Sequence, residues 1–199
     1  MGVSADYPVA IFVVYTAVAV AFGPDILREI RHRRSGAGTA TVRDGRSKQV
    51  IGVAGGSGVL TGAVAVDLVP SLTVLGDVRI AVVAGIVVLF VGAGVRQYAV
   101  RTLDDYFTSA VQIHQGQQVV DTGPYRWVRH PSYTGGIVMY TGIGLIFNNW
   151  VSLTTIVGLL LIAYLYRIRI EERALSEELG EPYREYLERT PYRLVPYLW

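Results

Sequence analysis

The sequence predicts an all-α, polytopic integral membrane protein with about five transmembrane helices, the last two forming a helical hairpin, followed by a cytosolic C-terminal helix. Three observations carry that expectation. Of the 199 residues, 51% are hydrophobic and 17% charged, too little charge to cover a soluble domain of this length; the mean hydropathy is +0.37. The apolar residues gather in runs close to the roughly 20 that a bilayer-spanning helix needs. The basic residues cluster between those runs.

Pro8 to Leu27 supplies the first span, which ends at a breaker, Gly23-Pro24-Asp25. Arg28 to Lys48 contains seven basic residues and reads as a loop, since such charge does not lie in hydrocarbon. Val50 to Pro70 is the second span, glycine-rich and interrupted only by Asp67 near its end. A short turn through Gly76-Asp77 leads to the third span, Ile80 to Val100, and Arg101 to Tyr133 is polar and irregular. Gly135 to Phe147 and Val151 to Tyr166 form two apolar arms around Asn148-Asn149-Trp150; the first is too short to cross a full bilayer unless it starts deep or tilts. Arg167 to Leu187 is a charged helix interrupted at Gly180-Glu181-Pro182.

Lys and Arg in short loops stay cytoplasmic, which places Arg28 to Lys48 in the cytosol. Counting crossings from there, Ser71 to Val78 is outside, while Arg101 to Tyr133 and the tail after Tyr166 are cytosolic. Every charged, motif-bearing segment falls on one face.

Several chemistries are excluded or disfavoured. Without cysteine there is no disulfide, thiolate nucleophile or Cys-ligated metal. His32, His114 and His130 are far apart with no ligand spacing, so no protein-bound metal is expected. Net charge is +2, and the basic cluster has a topological role and no interleaved aromatics, which argues against nucleic acid as a partner. Met1 to Tyr7 is acidic and does not read as a cleaved signal peptide. The glycines at Gly52, Gly56 and Gly58 to Gly62 lie inside an apolar span, without a preceding strand or a phosphate-loop lysine, and read as close helix packing.

Two segments can carry chemistry. Val119 to Gly136 is polar and rich in aromatics: Gly123-Pro124 makes a turn, and Pro131 forces His130 out of helical geometry just before a helix begins. That helix N-terminus suits an anionic group, with Arg129, His130 and Tyr133 around it as donors. In the second segment, Arg167 and Glu171 are four apart and share a helix face, as do Ile168 and Glu172. A carboxylate at this depth needs a cation, either Arg167 or an amino group on a ligand. The plainer readings stand beside these: Tyr125 to Arg129 as an interfacial belt, and Arg167 and Arg169 as snorkelling anchors with Glu171 a surface partner.

The run Gly123-Pro124-Tyr125, then Arg129-His130-Pro131-Ser132-Tyr133, then Glu171-Glu172 and Gly180 to Tyr186 resembles the isoprenylcysteine carboxyl methyltransferase family, from about Phe107 onward. The same signature extends to phospholipid methyltransferases. The resemblance implies S-adenosyl-L-methionine as cofactor and a lipophilic small-molecule or prenylated substrate taken from the membrane. It assigns cofactor contacts to Gln112, to Gln117, Gln118, Val119 and Val120 along the adenosine, and to Tyr125. It further assigns His130, Pro131, Ser132 and Tyr133 around the methionyl end, Glu171 beside the cofactor, and Arg167 facing the methyl acceptor. The family has histidine where this chain has Gln117. On this division, residues 1–100 are a three-helix transmembrane part and 101–199 the cofactor-binding part.

The implied reaction joins a sulfonium donor to an anionic acceptor and destroys both charges, so a dry site favours it. No general base is needed if the acceptor arrives ionised. Two other classes stay open: a membrane NADPH-dependent reductase of the sterol-reductase-like fold, which would need a basic phosphate pocket in place of the Glu171 environment, and a non-catalytic membrane scaffold.

Overall fold

The structure, a computed structural model, describes residues 6–34, 41–44, 46–103, 111–113 and 118–199. Six α-helices dominate: α1 (Asp6–Arg34), α2 (Arg46–Leu68), α3 (Val78–Leu103), α4 (Pro131–Ile146), α5 (Trp150–Leu179) and α6 (Glu181–Arg189). Two short strands, β1 (Thr41–Asp44) and β2 (Val111–Ile113), pair antiparallel with Val42 opposite Gln112. This ribbon falls within the stretches the sequence marks as irregular, and the all-α expectation did not include it.

Among the described residues, α2, α3 and α5 are long and apolar enough to cross a membrane. This is an integral membrane protein. At 16 residues, α4 spans about 24 Å at 1.5 Å per residue, short of a bilayer core of roughly 30 Å.

Two helix boundaries differ from the sequence reading. First, α1 does not stop at Gly23-Pro24-Asp25 but carries Pro24 inside it and runs on to Arg34. Pro removes a single backbone donor, and tertiary contacts at Asp25, described below, hold the turn that follows. Second, the last apolar arm and the charged helix are one element: α5 continues through Arg167 to Leu179, and the break comes at Gly180, whose φ of 61° is open to glycine. A continuous helix fixes Arg167 and Glu171 rigidly relative to the bilayer-crossing part.

Packing follows small residues. Each arm of the expected hairpin touches the other, but α4 lies chiefly along α3 and α5 along α2. At the α3–α4 seam, a Cβ on Gly142 would fall 2.5 Å from Leu89 N and 2.6 Å from Gly85 O, so the two backbones touch. At the α2–α5 seam, Gly58 admits the backbone of Ile156, and Ser152 Oγ donates to Gly62 O at 2.6 Å. Gly52 and Gly56, expected in the same stripe, face open space instead.

The hairpin tip is anchored to the α2–α3 turn. Asn148 Oδ1 accepts from Leu75 N at 2.8 Å, and Asn149 Nδ2 donates to Val69 O at 2.8 Å while its Oδ1 caps α5. From Asn149 to Arg167, α5 rises about 27 Å. The two chemistry-bearing segments therefore sit at the opposite end of the bundle from this tip.

Candidate active site

Pro131 occupies the first position of α4, where its missing N–H leaves no helical bond unmade, and His130 is the non-helical cap residue (φ −126°, ψ 56°). Just upstream, Gly123 with φ of 56° opens the 3-10 turn Gly123–Arg126 that tucks Tyr125 into the interior. These local rules deliver Tyr125, His130, Ser132 and Tyr133, all buried, to the start of α4.

The helix α5 delivers the other half. Arg167 is buried and its Nε donates to Tyr133 Oη at 2.6 Å, while Nη1 donates to Ser47 Oγ at 3.0 Å. One turn later Glu171 Oε2 accepts from Tyr133 Oη at 2.5 Å. The expected Arg167–Glu171 partnership is thus mediated by a phenol from another helix. The Tyr133 ring is stacked on both sides, against Tyr164 at 4.7 Å and His130 at 5.5 Å between centroids.

Glu172 faces a different direction, as successive helix positions must. Its carboxylate takes Arg129 Nε at 2.9 Å, Arg193 Nη2 at 2.9 Å and His130 Nε2 at 3.3 Å. His130 therefore addresses Glu172, whereas Glu171 is held by Tyr133. The C-terminal segment closes over this cluster: Arg129 N and His130 N donate to Tyr192 O and Arg193 O, both at 2.9 Å, and Thr134 Oγ1 donates to Leu194 O at 2.7 Å.

Sequence reasoning missed Ser47, Tyr164 and Arg193, and it named Glu172 beside Glu171 without giving it a role at the site. Ser47 and Arg193 lie far along the chain from these segments, and no spacing signal finds them; Tyr164 sits three residues before Arg167 and seven before Glu171, a same-face spacing that could have found it.

One atom stands out as unserved. Among the described residues, Tyr125 Oη is the one buried side-chain N or O atom without a hydrogen-bond partner of good geometry, although the Ser132 side chain is near enough to favour its ionised form slightly. Burial pushes this hydroxyl well above the usual tyrosine range, and the Glu171 carboxylate adds to the push. It therefore remains a donor at neutral pH, and a buried donor without a partner suits an incoming acceptor.

The remaining expected contacts are more scattered. Val119 and Val120 are half-buried and Gln118 exposed. Gln112 lies on β2, which packs against α5. Gln117 and His114 lie outside the described residues. No group of three or more His, Cys, Asp or Glu able to hold a metal occurs among the described residues.

A family model described as the isoprenylcysteine carboxyl methyltransferase (ICMT) family matches residues 83–177, the stretch that contains every candidate site residue from Gln112 to Glu171. Residues 83–177 carry the likeness to the isoprenylcysteine carboxyl methyltransferase family. The match begins upstream of Phe107 and stops short of Gly180 to Tyr186.

Among relatives, the chain is similar to a probable protein-S-isoprenylcysteine O-methyltransferase of Oryza sativa subsp. indica, 31% identical over 53% of this chain and 56% of the relative. The protein-S-isoprenylcysteine O-methyltransferase of Saccharomyces cerevisiae is 32% identical over 54% of this chain and 46% of its own length. A solved structure of the eukaryotic intramembrane Ras methyltransferase ICMT superposes with a TM-score of 0.56 at 25% identity, covering 73% of this chain and 52% of that one. The chain thus spans about half the length of the relatives it matches.

Proposed function

We propose that this protein is an S-adenosylmethionine-dependent methyltransferase acting on a lipophilic carboxylate or phenolic acceptor, with an isoprenylcysteine-like carboxylate as the first candidate. The observation that carries the reading is the Tyr133 hydroxyl held between Arg167 and Glu171, inside the segment that matches the methyltransferase family. The basic residues from Arg28 to Lys48, most of them in the last turns of α1 and the first turn of α2, favour a site facing the cytosol, with α1 and α4 completing five crossings.

The residues fit such a cofactor. Glu171 offers a carboxylate to an ammonium group, and the unpartnered Tyr125 hydroxyl offers a donor. Ser132, at the positive end of the α4 dipole, suits a carboxylate, and Gln118 to Val120, with Gln112 and Gln117, would follow the adenosine. Bound there, S-adenosylmethionine supplies an electrophilic methyl group on a sulfonium centre.

The chain's own residues then do two things. Arg167, pinned by Tyr133 and Ser47, presents a fixed guanidinium that orients an acceptor anion. The surrounding Tyr133, Tyr164, Leu160 and Ile168 exclude water, which strips the anion of its hydration and raises its nucleophilicity. Orientation of this kind is worth on the order of 7 kcal/mol or more. The adjacent carboxylates Glu171 and Glu172 speak against a pocket for the phosphates of NADPH.

Transfer of labelled methyl from S-adenosylmethionine to N-acetyl-S-farnesylcysteine, run alongside a cell lipid extract, tests the reading. Label in either acceptor is expected. No label in both, together with no thermal shift on adding S-adenosylhomocysteine, would overturn it.

A further inference from the structure

A second polar cluster joins α1 to α3, apart from the Arg167–Tyr133–Glu171 bridge. Arg96 Nε donates to Asp25 Oδ2 at 2.5 Å, and Gln97 Nε2 donates to Asp25 Oδ1 at 3.0 Å. Arg28 Nη1 reaches Gln97 Oε1 at 3.4 Å. The Arg96 and Asp25 side chains are each 19% exposed. Ionisable groups within or at the edge of an apolar span are unfavourable unless something is gained, and they point to a functional constraint.

A further contact of Arg96 shows what that constraint is. Its Nη1 donates to the Ser132 carbonyl at 3.2 Å, in the first turn of α4 and one residue before Tyr133. Gly135 permits the approach, since a Cβ there would lie 2.5 Å from Arg96 N and 2.8 Å from its Cα. The first turn of α4 has no side-chain cap from His130. A planar guanidinium anchored on a carboxylate is a stiff strut, and here its other end holds a carbonyl in the first turn of α4.

We propose that Asp25 and Arg96 are positioning residues, through which α1 holds the first turn of α4 so that the Tyr133 hydroxyl stays between Arg167 and Glu171. Asp25 lies outside the family-matched stretch 83–177, so this support comes from the chain's own N-terminal part. The structural half of the claim stands on the contacts alone. Only its consequence for ligand affinity rests on the cofactor reading above.

The test uses the full chain in detergent. Asp25→Asn, Arg96→Gln and Asp25→Glu are compared with Leu27→Ala, a control whose side chain is exposed on the same helix. Hydrogen exchange is followed in peptides covering residues 131–136 and 150–160, and S-adenosylhomocysteine affinity is measured by calorimetry. Asp25→Asn and Arg96→Gln are expected to speed exchange in 131–136 about tenfold, leaving 150–160 and the melting temperature nearly unchanged. The same variants weaken ligand affinity about tenfold. Asp25→Glu recovers most of that affinity, and Leu27→Ala matches the parent.

If Arg96→Gln does not fold, the near-isosteric Asp25→Asn decides alone. Unchanged exchange in 131–136, an increase shared equally by both peptides, or faster exchange with unaltered affinity overturns the proposal. If the parent itself binds no S-adenosylhomocysteine, the cofactor reading falls, and the exchange measurement still decides the positioning claim.

Discussion

Tyr133 and Glu171 are 38 residues apart in the chain and meet in a hydrogen bond of 2.5 Å, the phenol donating to the carboxylate. The same phenol oxygen accepts from Arg167 at 2.6 Å. A single hydroxyl on α4 therefore bridges a cation and an anion one turn apart on α5.

Tyr133→Phe keeps the ring that stacks on His130 and Tyr164 and removes only this coupling. Loss of a hydrogen bond to charged partners is worth about 1–3 kcal/mol, or roughly a tenfold to hundredfold loss of S-adenosylhomocysteine affinity. Calorimetry on the purified variant measures it, and equal affinity for variant and parent would show that the bridge has no part in binding.

Tyr125→Phe separates a ligand contact from a structural one. Its hydroxyl is buried without a partner, so its removal should leave the ligand-free protein as stable as before or slightly more so. Cofactor affinity should nonetheless fall. The hydroxyls of Tyr125 and Tyr186 are both raised above the usual value of 10, first by burial. Their contribution to stability is therefore complete below pH 10 and is lost as the pH climbs beyond it. An alkaline melting series on the parent and on Tyr125→Phe should show the variant losing less stability above pH 10.

Glu172→Gln leaves Arg129, His130 and Arg193 facing one another without their shared anion. The Arg129 side chain is buried, and removing the anion that compensates its charge costs about 3 kcal/mol. Arg193, 34% exposed, contributes least to that figure. The expected result is a lower melting temperature together with faster protease cleavage within residues 190–199. A variant with the parent's melting temperature and cleavage rate would assign the fold's cohesion elsewhere.

Gly142→Ala and Gly56→Ala should differ sharply although both sit in apolar helices. The first drives a methyl group into the backbone of Leu89 and Gly85, which has no freedom to yield, and should abolish monodisperse protein on size-exclusion chromatography. The second points into open space and should be neutral or gain a few tenths of a kcal/mol in helix propensity.

How much of this was legible beforehand is best judged residue by residue. The break at Gly180 and the non-helical His130 before Pro131 both follow from local backbone chemistry, and both are found. The hairpin turn at Asn148-Asn149 is likewise local, and the structure places it as expected. The helix end expected at Pro24 is absent, because a proline removes one donor while the Asp25–Arg96 contact, 71 residues distant in sequence, holds the helix beyond it.

By itself the sequence determined the three long apolar helices α2, α3 and α5, the side of the bundle that bears the charges, and the shared face of Arg167 and Glu171, since each depends on hydrophobicity or on a helical period. Only the tertiary structure decided that Tyr133 rather than His130 addresses Glu171, that Glu172 gathers Arg129, His130 and Arg193, and that α1 reaches the first turn of α4 through Arg96. Neighbouring carboxylates on one helix point in directions about 100° apart. Which partner each one meets depends on elements folded against it from far along the chain, and no local pattern records that.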